Sequence, residues 1–329
     1  MPGSLREAGD DELRRSLEGA LSEVRGDPVE VVALSRRPFA YETSYAIDEL
    51  RVRLGDGESL DLVVKDVGAG GLSAAAAATK PGFTLDPRRE IAVYRSLLAP
   101  SQVPAPRYWG AAEDEGRAWL FVERVEGEVL TDVGEVEVWR AAAAWAARLD
   151  AAVRPQVRAE VEPLLLHRNR EWHAHWIEAA TDAGGEELAR QLRPAAPELL
   201  ERLEALPSAF VHGELYPSNV IVGRREPEPP RIAPVDWELA GPGPFALDLA
   251  ALVGGWGAEE RRGMCESFHA ALPEGRRASL SLGDLIAAVD LCRLSLALQW
   301  IGWAPGWEPP EEHRHDWVAE AMRLLEEIA

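Results

Sequence analysis

The sequence predicts an α+β protein with a small β-rich N-terminal part and a larger, mostly helical C-terminal part. Apolar and polar residues alternate from Tyr45 to Leu54 and again from Leu60 to Val64, the period of a half-buried strand. After Gly127 the spacing becomes helical for most of the remaining chain. The length, 329 residues with 47% hydrophobic, leaves room for roughly two domains of about 100–200 residues and a real core.

The elements follow in order. Leu13, Leu17, Leu21 and Val24 repeat at helical spacing behind Asp10 and Asp11, which suit a helix N-terminus. Val29 to Leu34 is a β-branched run. Asp56-Gly57 between the two alternating segments is a hairpin signal, so three antiparallel strands are the economical reading. Residues 67–81 are rich in Gly and Ala and fit either a mobile loop or a short helix. Asp86-Pro87 opens a helix toward Leu98, because Asp caps and Pro suits the first turn. A further strand pair ends in Ala118 to Val125. Beyond it, helices are expected around 139–149, 161–180 and 186–206, then from about Phe245, Glu259, Ser281 and Glu311. Short apolar runs between Phe210 and Leu239 interrupt them. The boundary is placed between an N-terminal lobe, 1–125, and a C-terminal lobe, 126–329.

Charge narrows the partners. There are 35 Lys and Arg against 56 Asp and Glu, a formal net charge of -21. Such a surface does not seek phosphate backbones or anionic membranes, so nucleic acid and membrane are excluded as partners. A cationic or neutral small molecule is easier to accommodate. The two cysteines, Cys265 and Cys292, cannot build a disulfide framework or a metal cluster, which fits a reducing cytoplasm. The polar start, Met1 to Arg15, is no secretory signal. Asp284, Asp290 and Arg293 break the last apolar stretch, so no transmembrane span is expected. His173 and His175 are two apart and share no helix face, which argues against a metal site there.

The chemistry concentrates in Phe210-Val211-His212-Gly213-Glu214-Leu215-Tyr216-Pro217-Ser218-Asn219-Val220-Ile221-Val222. An apolar run enters a polar loop and another leaves it. A carboxylate, Glu214, precedes a carboxamide, Asn219, by five residues. The next apolar run, Ile232 to Val235, ends at Asp236-Trp237-Glu238. Phosphoryl transfer from a nucleotide needs a carboxylate to take the acceptor's proton and oxygen ligands to hold Mg²⁺ against the phosphates. Taken singly, Glu238 reads as a solvated loop acid.

At these residues the chain resembles the aminoglycoside phosphotransferase and choline kinase families, whose catalytic loop reads His-Gly-Asp with Asn five residues after the Asp, then a strand ending in Asp. The resemblance implies a bilobal protein-kinase-like fold. It implies Asn219 and Asp236 as metal ligands and Glu214 in the base position, with His212 and Asp248 as structural support of the loop. In the N-terminal lobe it implies Lys65, at the end of Leu62-Val63-Val64-Lys65, as the residue that holds nucleotide phosphates, and Glu90 on the next helix as its positioning partner. Lysine is rare in this chain. Leu120-Phe121-Val122-Glu123-Arg124-Val125-Glu126-Gly127 resembles the strand-to-hinge segment of these families, with backbone groups near Glu123 and Val125 meeting the base. Phe121 either shapes the back of that pocket or packs in the core.

Two departures stand out. Glu214 replaces Asp, and its extra methylene moves the carboxylate by roughly 1–1.5 Å unless the loop compensates. The loop after the first strand, Arg37 to Tyr45, contains no glycine, and the hydroxyls of Thr43 and Ser44 stand in its place. On the acceptor side, the aromatic and acidic stretch from Trp300 to Glu312 includes Trp307 and Glu308, candidate substrate contacts for a cationic or polyhydroxylated acceptor.

The expected activity is a phosphotransferase that uses ATP or GTP with Mg²⁺ and acts on a hydroxyl of a small molecule, an antibiotic or a biosynthetic intermediate. A Ser or Thr hydroxyl in a natural-product precursor peptide is a second reading. A nucleotide-binding pseudokinase, supported by Glu214, and a nucleotidyl or phosphate hydrolase are further alternatives. The oligomeric state stays open.

Overall fold

The computed structural model of the chain describes residues 4–39, 44–114, 116–223, 229–303 and 315–328. The chain folds as two compact units, one formed by residues 1–127 with 156–164, the other by 128–155 with 165–329.

The first unit begins with α1 (Asp10–Arg25), which buries Leu13, Leu17, Ala20 and Leu21 along one face. Gly26 ends the helix in the left-handed conformation, its N–H donating to the Ser22 carbonyl. Strands β1 (Val31–Pro38), β2 (Ala46–Leu54) and β3 (Ser59–Asp66) follow as antiparallel neighbours. Residues 67–81 contain a short helix, α2 (Ala74–Thr79), capped by the Ser73 hydroxyl, so of the two readings of this stretch the helical one holds. α3 (Pro87–Ala92) is capped by Asp86 and carries Pro in its first turn, then widens into a π turn over Val93–Leu98. Strands β4 (Tyr108–Asp114) and β5 (Arg117–Glu123) complete a five-stranded sheet of order β1-β2-β3-β5-β4.

Strand alternation divides this sheet into two faces. Leu50, Val52, Leu54, Leu60, Leu62, Val64, Trp119 and Phe121 join α1 in one core. Phe121 therefore packs in the core on the α1 face, and it is its neighbours Leu120 and Val122 that share the face of Lys65. α1 approaches β4 closely: a Cβ at Gly110, whose φ is 124°, would lie 2.6 Å from the Ala20 carbonyl oxygen.

The second unit is mainly helical. β6 (Glu128–Val129) is followed by α4 (Val136–Val153), α5 (Arg170–Ala183) and α6 (Gly185–Ala205). The expected helix near 161–180 is shorter than its apolar pattern, because Asn169 caps α5 and the preceding residues make only a 3-10 turn at Glu162–Leu164. Four short strands come next: β7 (Ser208–Val211), β8 (Val220–Gly223), β9 (Arg231–Pro234) and β10 (Gly241–Pro244). β10 pairs antiparallel with β7, and β6, β8 and β9 form a second small sheet. The chain then continues through α7 (Leu247–Leu252), α8 (Ala258–Ala271), α9 (Glu274–Ser279), α10 (Leu282–Trp303) and α11 (Trp317–Ile328). α10 is long and apolar enough by composition to cross a membrane, yet it is a core helix here. Its Leu291, Leu294, Ala297, Leu298 and Ile301 pack with Leu188, Leu192 and Leu324.

Candidate active site

In the first unit, Lys65 and Glu90 meet. Lys65 lies in β3 opposite Ile47 of β2 and Leu120 of β5. Glu90 sits in the first turn of α3, one turn beyond the Asp86 cap. The Lys65 ammonium donates to Glu90 Oε2 at 2.7 Å, and both side chains are buried, with 10% and 4% of their surface exposed. A buried pair at this distance holds each partner in one orientation, and losing either strands a charge.

The segment around β5 is anchored from the sheet. Glu123 donates its N–H to the Arg107 carbonyl and accepts the Arg107 N–H on its side chain. Arg124 donates its N–H to the Asp61 carbonyl, and its guanidinium reaches Glu49, which also holds Arg37. These two arginines keep the Glu49 carboxyl below the usual carboxylate range against the opposing effect of desolvation. Ser44 accepts the Ser73 N–H on its carbonyl. Thr43 lies outside the described residues.

In the second unit, β7 delivers His212 into the core with no exposed surface. Gly213 turns the chain at φ 90°, and a Cβ there would fall 2.0 Å from the Arg168 guanidinium and 2.6 Å from the Leu239 carbonyl. Only glycine meets both demands. Asp248, buried in α7, accepts the His212 N–H on one oxygen at 2.7 Å and the Gly213 N–H on the other at 2.9 Å. Burial pushes the Asp248 carboxyl up to about 6, opposed by those two hydrogen bonds. The imidazole of His212 lies 2.9 Å from the Val235 carbonyl through Nε2. A carbonyl only accepts, so Nε2 carries the proton and Nδ1 is left to accept the Glu214 N–H, at 3.3 Å. One side chain thus ties the loop to the end of β9.

The loop then closes through Asn219. Its Nδ2 donates to the Glu214 carbonyl at 3.0 Å, and its own carbonyl accepts the Val235 N–H at 2.9 Å. With Nδ2 engaged, Oδ1 is the atom that Asn219 can offer a metal. Asp236 follows with φ 67°, the one positive φ outside glycine among the described residues. Backbone strain of this kind persists where the surroundings enforce it. Trp237, fully buried, locks the turn by donating its indole N–H to the Pro234 carbonyl and tilting over His212 at 4.4 Å.

This turn brings three acids together. Carboxylate oxygens of Glu214, Asp236 and Glu238 lie within 4.8 Å of one another. Glu238 is a correction to the expectation of a solvated acid: it is 7% exposed and belongs to the cluster. Three hard oxygen donors plus a carboxamide are the ligand set of a divalent cation such as Mg²⁺, so the residues present fit one. The longer side chain of Glu214 also reaches this cluster.

Beside the loop, Tyr216 accepts the Trp300 indole N–H at 2.8 Å, and Trp300 stacks on Trp317 at 5.7 Å and 10°. Burial and the nearby Glu214 raise the Tyr216 phenol above its ordinary range. Trp307 and Glu308 lie outside the described residues.

Known proteins share the family and the fold of this chain. A profile of the phosphotransferase enzyme family matches residues 46–280. Among curated protein sequences none matches the chain. Solved structures share its fold. Wild-type aminoglycoside 2'-phosphotransferase-IIIa, determined as a GDP complex, is 15% identical with a TM-score of 0.57, covering 96% of this chain and 98% of its own. An ethanolamine kinase of Plasmodium vivax is 12% identical with a TM-score of 0.57, covering 90% of this chain and 82% of its own. A choline kinase of Cryptosporidium parvum Iowa II is 12% identical with a TM-score of 0.56, covering 90% and 88%.

Proposed function

The chain belongs to the phosphotransferase enzyme family and is a kinase with an alcohol group as acceptor, and we propose that it moves the γ-phosphoryl group of ATP or GTP onto the hydroxyl of a small cationic molecule. The observation that carries this reading is the gathering of Glu214, Asp236 and Glu238 on a loop braced by Asp248 and His212.

Each residue has a task in this reading. Lys65 holds the phosphate chain, and Glu90 keeps the ammonium aimed. Ser44 offers a hydroxyl to the phosphates, and the backbone near Glu123 and Val125 meets the base. Asn219 and Asp236 hold Mg²⁺, with Glu238 beside them. Bound there, the metal neutralises charge on the transferring phosphoryl group. Glu214 orients the acceptor hydroxyl and takes its proton as the oxygen attacks phosphorus. Asp248 keeps the His212–Gly213 backbone fixed so that the carboxylate does not wander.

The acceptor class follows from what surrounds the carboxylates. The Tyr216 phenol feels the Glu214 carboxylate, and its ring packs with Trp300, which stacks on Trp317, a setting that favours an ammonium group over an anion. The surplus of acid over base in the whole chain works in the same direction. Trp307 and Glu308 are further candidate contacts from the adjoining segment. Cys265 and Cys292 are both buried and unbonded, which supports a cytoplasmic enzyme. A scaffold without activity is not retained, because the family is enzymatic and Glu214 joins the acid cluster.

The test is transfer of labelled γ-phosphate from MgATP and MgGTP to a panel of amino alcohols, aminated sugars and Ser/Thr peptides. The wild type phosphorylates a cationic alcohol, while Asp236→Asn and Glu214→Gln do not. Transfer undiminished in Asp236→Asn would remove the metal assignment, and transfer only to peptides would remove the acceptor class.

A further inference from the structure

Of the 35 cationic Lys and Arg side chains in this protein, only two are lysines, Lys65 and Lys80. They converge on one aromatic ring. The Nζ atoms of Lys65 and Lys80 each lie 5.2 Å from the centroid of Tyr45, so the two ammonium groups are separated by no more than twice that distance. Tyr45 itself is buried.

Lys80 reaches the ring through a dedicated arm. Residues 71–73 lie alongside residues 44–46: Tyr45 bridges Leu72, the Ala46 N–H donates to the Gly71 carbonyl at 2.8 Å, and the Ser73 N–H donates to the Ser44 carbonyl at 2.8 Å. Ser73 then caps α2, and Lys80 closes it by donating its N–H to the Ala76 carbonyl. α2 buries little on its own account, since Ala76 is its one buried residue and Ala74, Ala75, Ala77 and Ala78 are exposed. Core packing therefore does not explain the helix. Its structural product is a second ammonium group on the Tyr45 ring.

The choice of residue has meaning in a chain that otherwise uses arginine. Arginine is preferred for planar, bidentate pairing, and Arg88 fills that role on Asp86, its Nε and Nη2 meeting the two carboxylate oxygens. Lysine is a compact point charge with rotatable donors, suited to phosphate oxygens that shift during a reaction. Two ammonium groups on one ring bring donors for anionic oxygens to the same place, an arrangement that suits a polyanion.

We propose that Lys80 is a second anchor for the phosphate chain of the nucleotide, acting with Lys65 across the Tyr45 ring. This rests on the reading of Lys65 as a phosphate-holding residue. The competing structural role for Lys80 is that of a cation at a helix C-terminus, which involves no ligand.

Nucleotide affinity of the full chain separates the two. Binding of the nucleoside, its diphosphate and a non-hydrolysable triphosphate is measured for wild type, Lys80→Gln, Lys80→Arg and Lys65→Gln. Lys80→Gln weakens triphosphate binding by about tenfold and leaves the nucleoside unchanged, and Lys80→Arg recovers most of the loss. Triphosphate binding at wild-type strength in Lys80→Gln overturns the proposal. If Lys65→Gln is weakened in that experiment, the parent reading stands without Lys80; if it too is unaffected, the parent reading falls as well. An acyl-phosphate analogue of the nucleotide gives an independent readout without mutation. A lysine amine beside the phosphates attacks the acyl carbon, an amide forms, the nucleotide phosphate leaves and the amine proton passes to solvent. Mass spectrometry should find the acyl group on both Lys65 and Lys80, each protected by excess triphosphate. Label on Lys65 alone, or on neither, overturns the assignment of Lys80.

Discussion

The Lys65–Glu90 pair and the Glu214–Asp236–Glu238 cluster solve opposite electrostatic problems. The first is balanced by itself: a buried ammonium meets a buried carboxylate at 2.7 Å. The second gathers like charge, with three carboxylates whose oxygens lie within 4.8 Å of one another beside a positive-φ turn at Asp236. Like charges this close are costly unless a cation or a shared proton joins them. The first arrangement is thus a device for aiming a charge, and the second a receptacle for one. The supports differ in kind as well. Glu90 acts by direct contact with Lys65, whereas Asp248 and His212 act on the backbone of the loop.

The largest effect is expected where the acid cluster loses a charge. Asp236→Asn keeps the shape and should lower the transfer rate about 1,000-fold or more, with an unchanged circular dichroism spectrum. At the buried Lys65–Glu90 pair the loss should fall on stability as well as on transfer. Lys65→Met removes the ammonium that faces buried Glu90 and should destabilise the protein by about 3–5 kcal/mol in denaturant titration, and adding Glu90→Leu should restore most of it. If the double variant is no more stable than Lys65→Met, the pair is not the self-contained unit described. Shortening the base tests the fit of the loop: Glu214→Asp withdraws the carboxylate by about 1 Å and should cost on the order of 100-fold in kcat while nucleotide affinity holds.

The smallest effect concerns pH and compares two buried groups of the second unit. His173 is pushed down to about 4 by burial and by Arg168. Its folded pKa lies below the unfolded value, so the stability it contributes is present above about pH 6.5 and is lost as pH falls toward 4. Asp248 runs the other way. Its folded pKa, about 6, lies above the unfolded value, so its contribution is present below about 3.8 and is lost as pH rises through 6. His173→Gln should therefore flatten the loss of stability between pH 7 and pH 5 by about 2 kcal/mol, measured by denaturant titration at each pH. An unchanged acid limb would show that His173 does not titrate as its burial requires.

Much of this was legible in the chain because the relevant rules are local. Alternation around Asp56-Gly57 marks β2 and β3, and Asp86-Pro87 marks the start of α3. The motif spacing from His212 to Asn219 and on to Asp236 picks out residues that the fold gathers in one loop system. Other features escaped because their cause is not local. β10 reads Gly-Pro-Gly-Pro, which looks like a turn, and becomes a strand only because β7 supplies its partner. Glu238 looks solvated because no periodicity links it to Glu214. The positive φ of Asp236 folds the chain back and brings the two together. Lys80 was hidden inside a low-complexity stretch whose helix depends on the Ser73 cap and on docking beside Tyr45.

The claim that the acid cluster is a cation site has one direct measurement. Mn²⁺ is titrated by electron paramagnetic resonance into the full chain with a non-hydrolysable triphosphate, for wild type and for Asp236→Asn, and competed with Mg²⁺. The wild type should hold protein-bound Mn²⁺ that Mg²⁺ displaces, and Asp236→Asn should lose it while still binding nucleotide. Equal Mn²⁺ affinity in the two proteins would contradict the account.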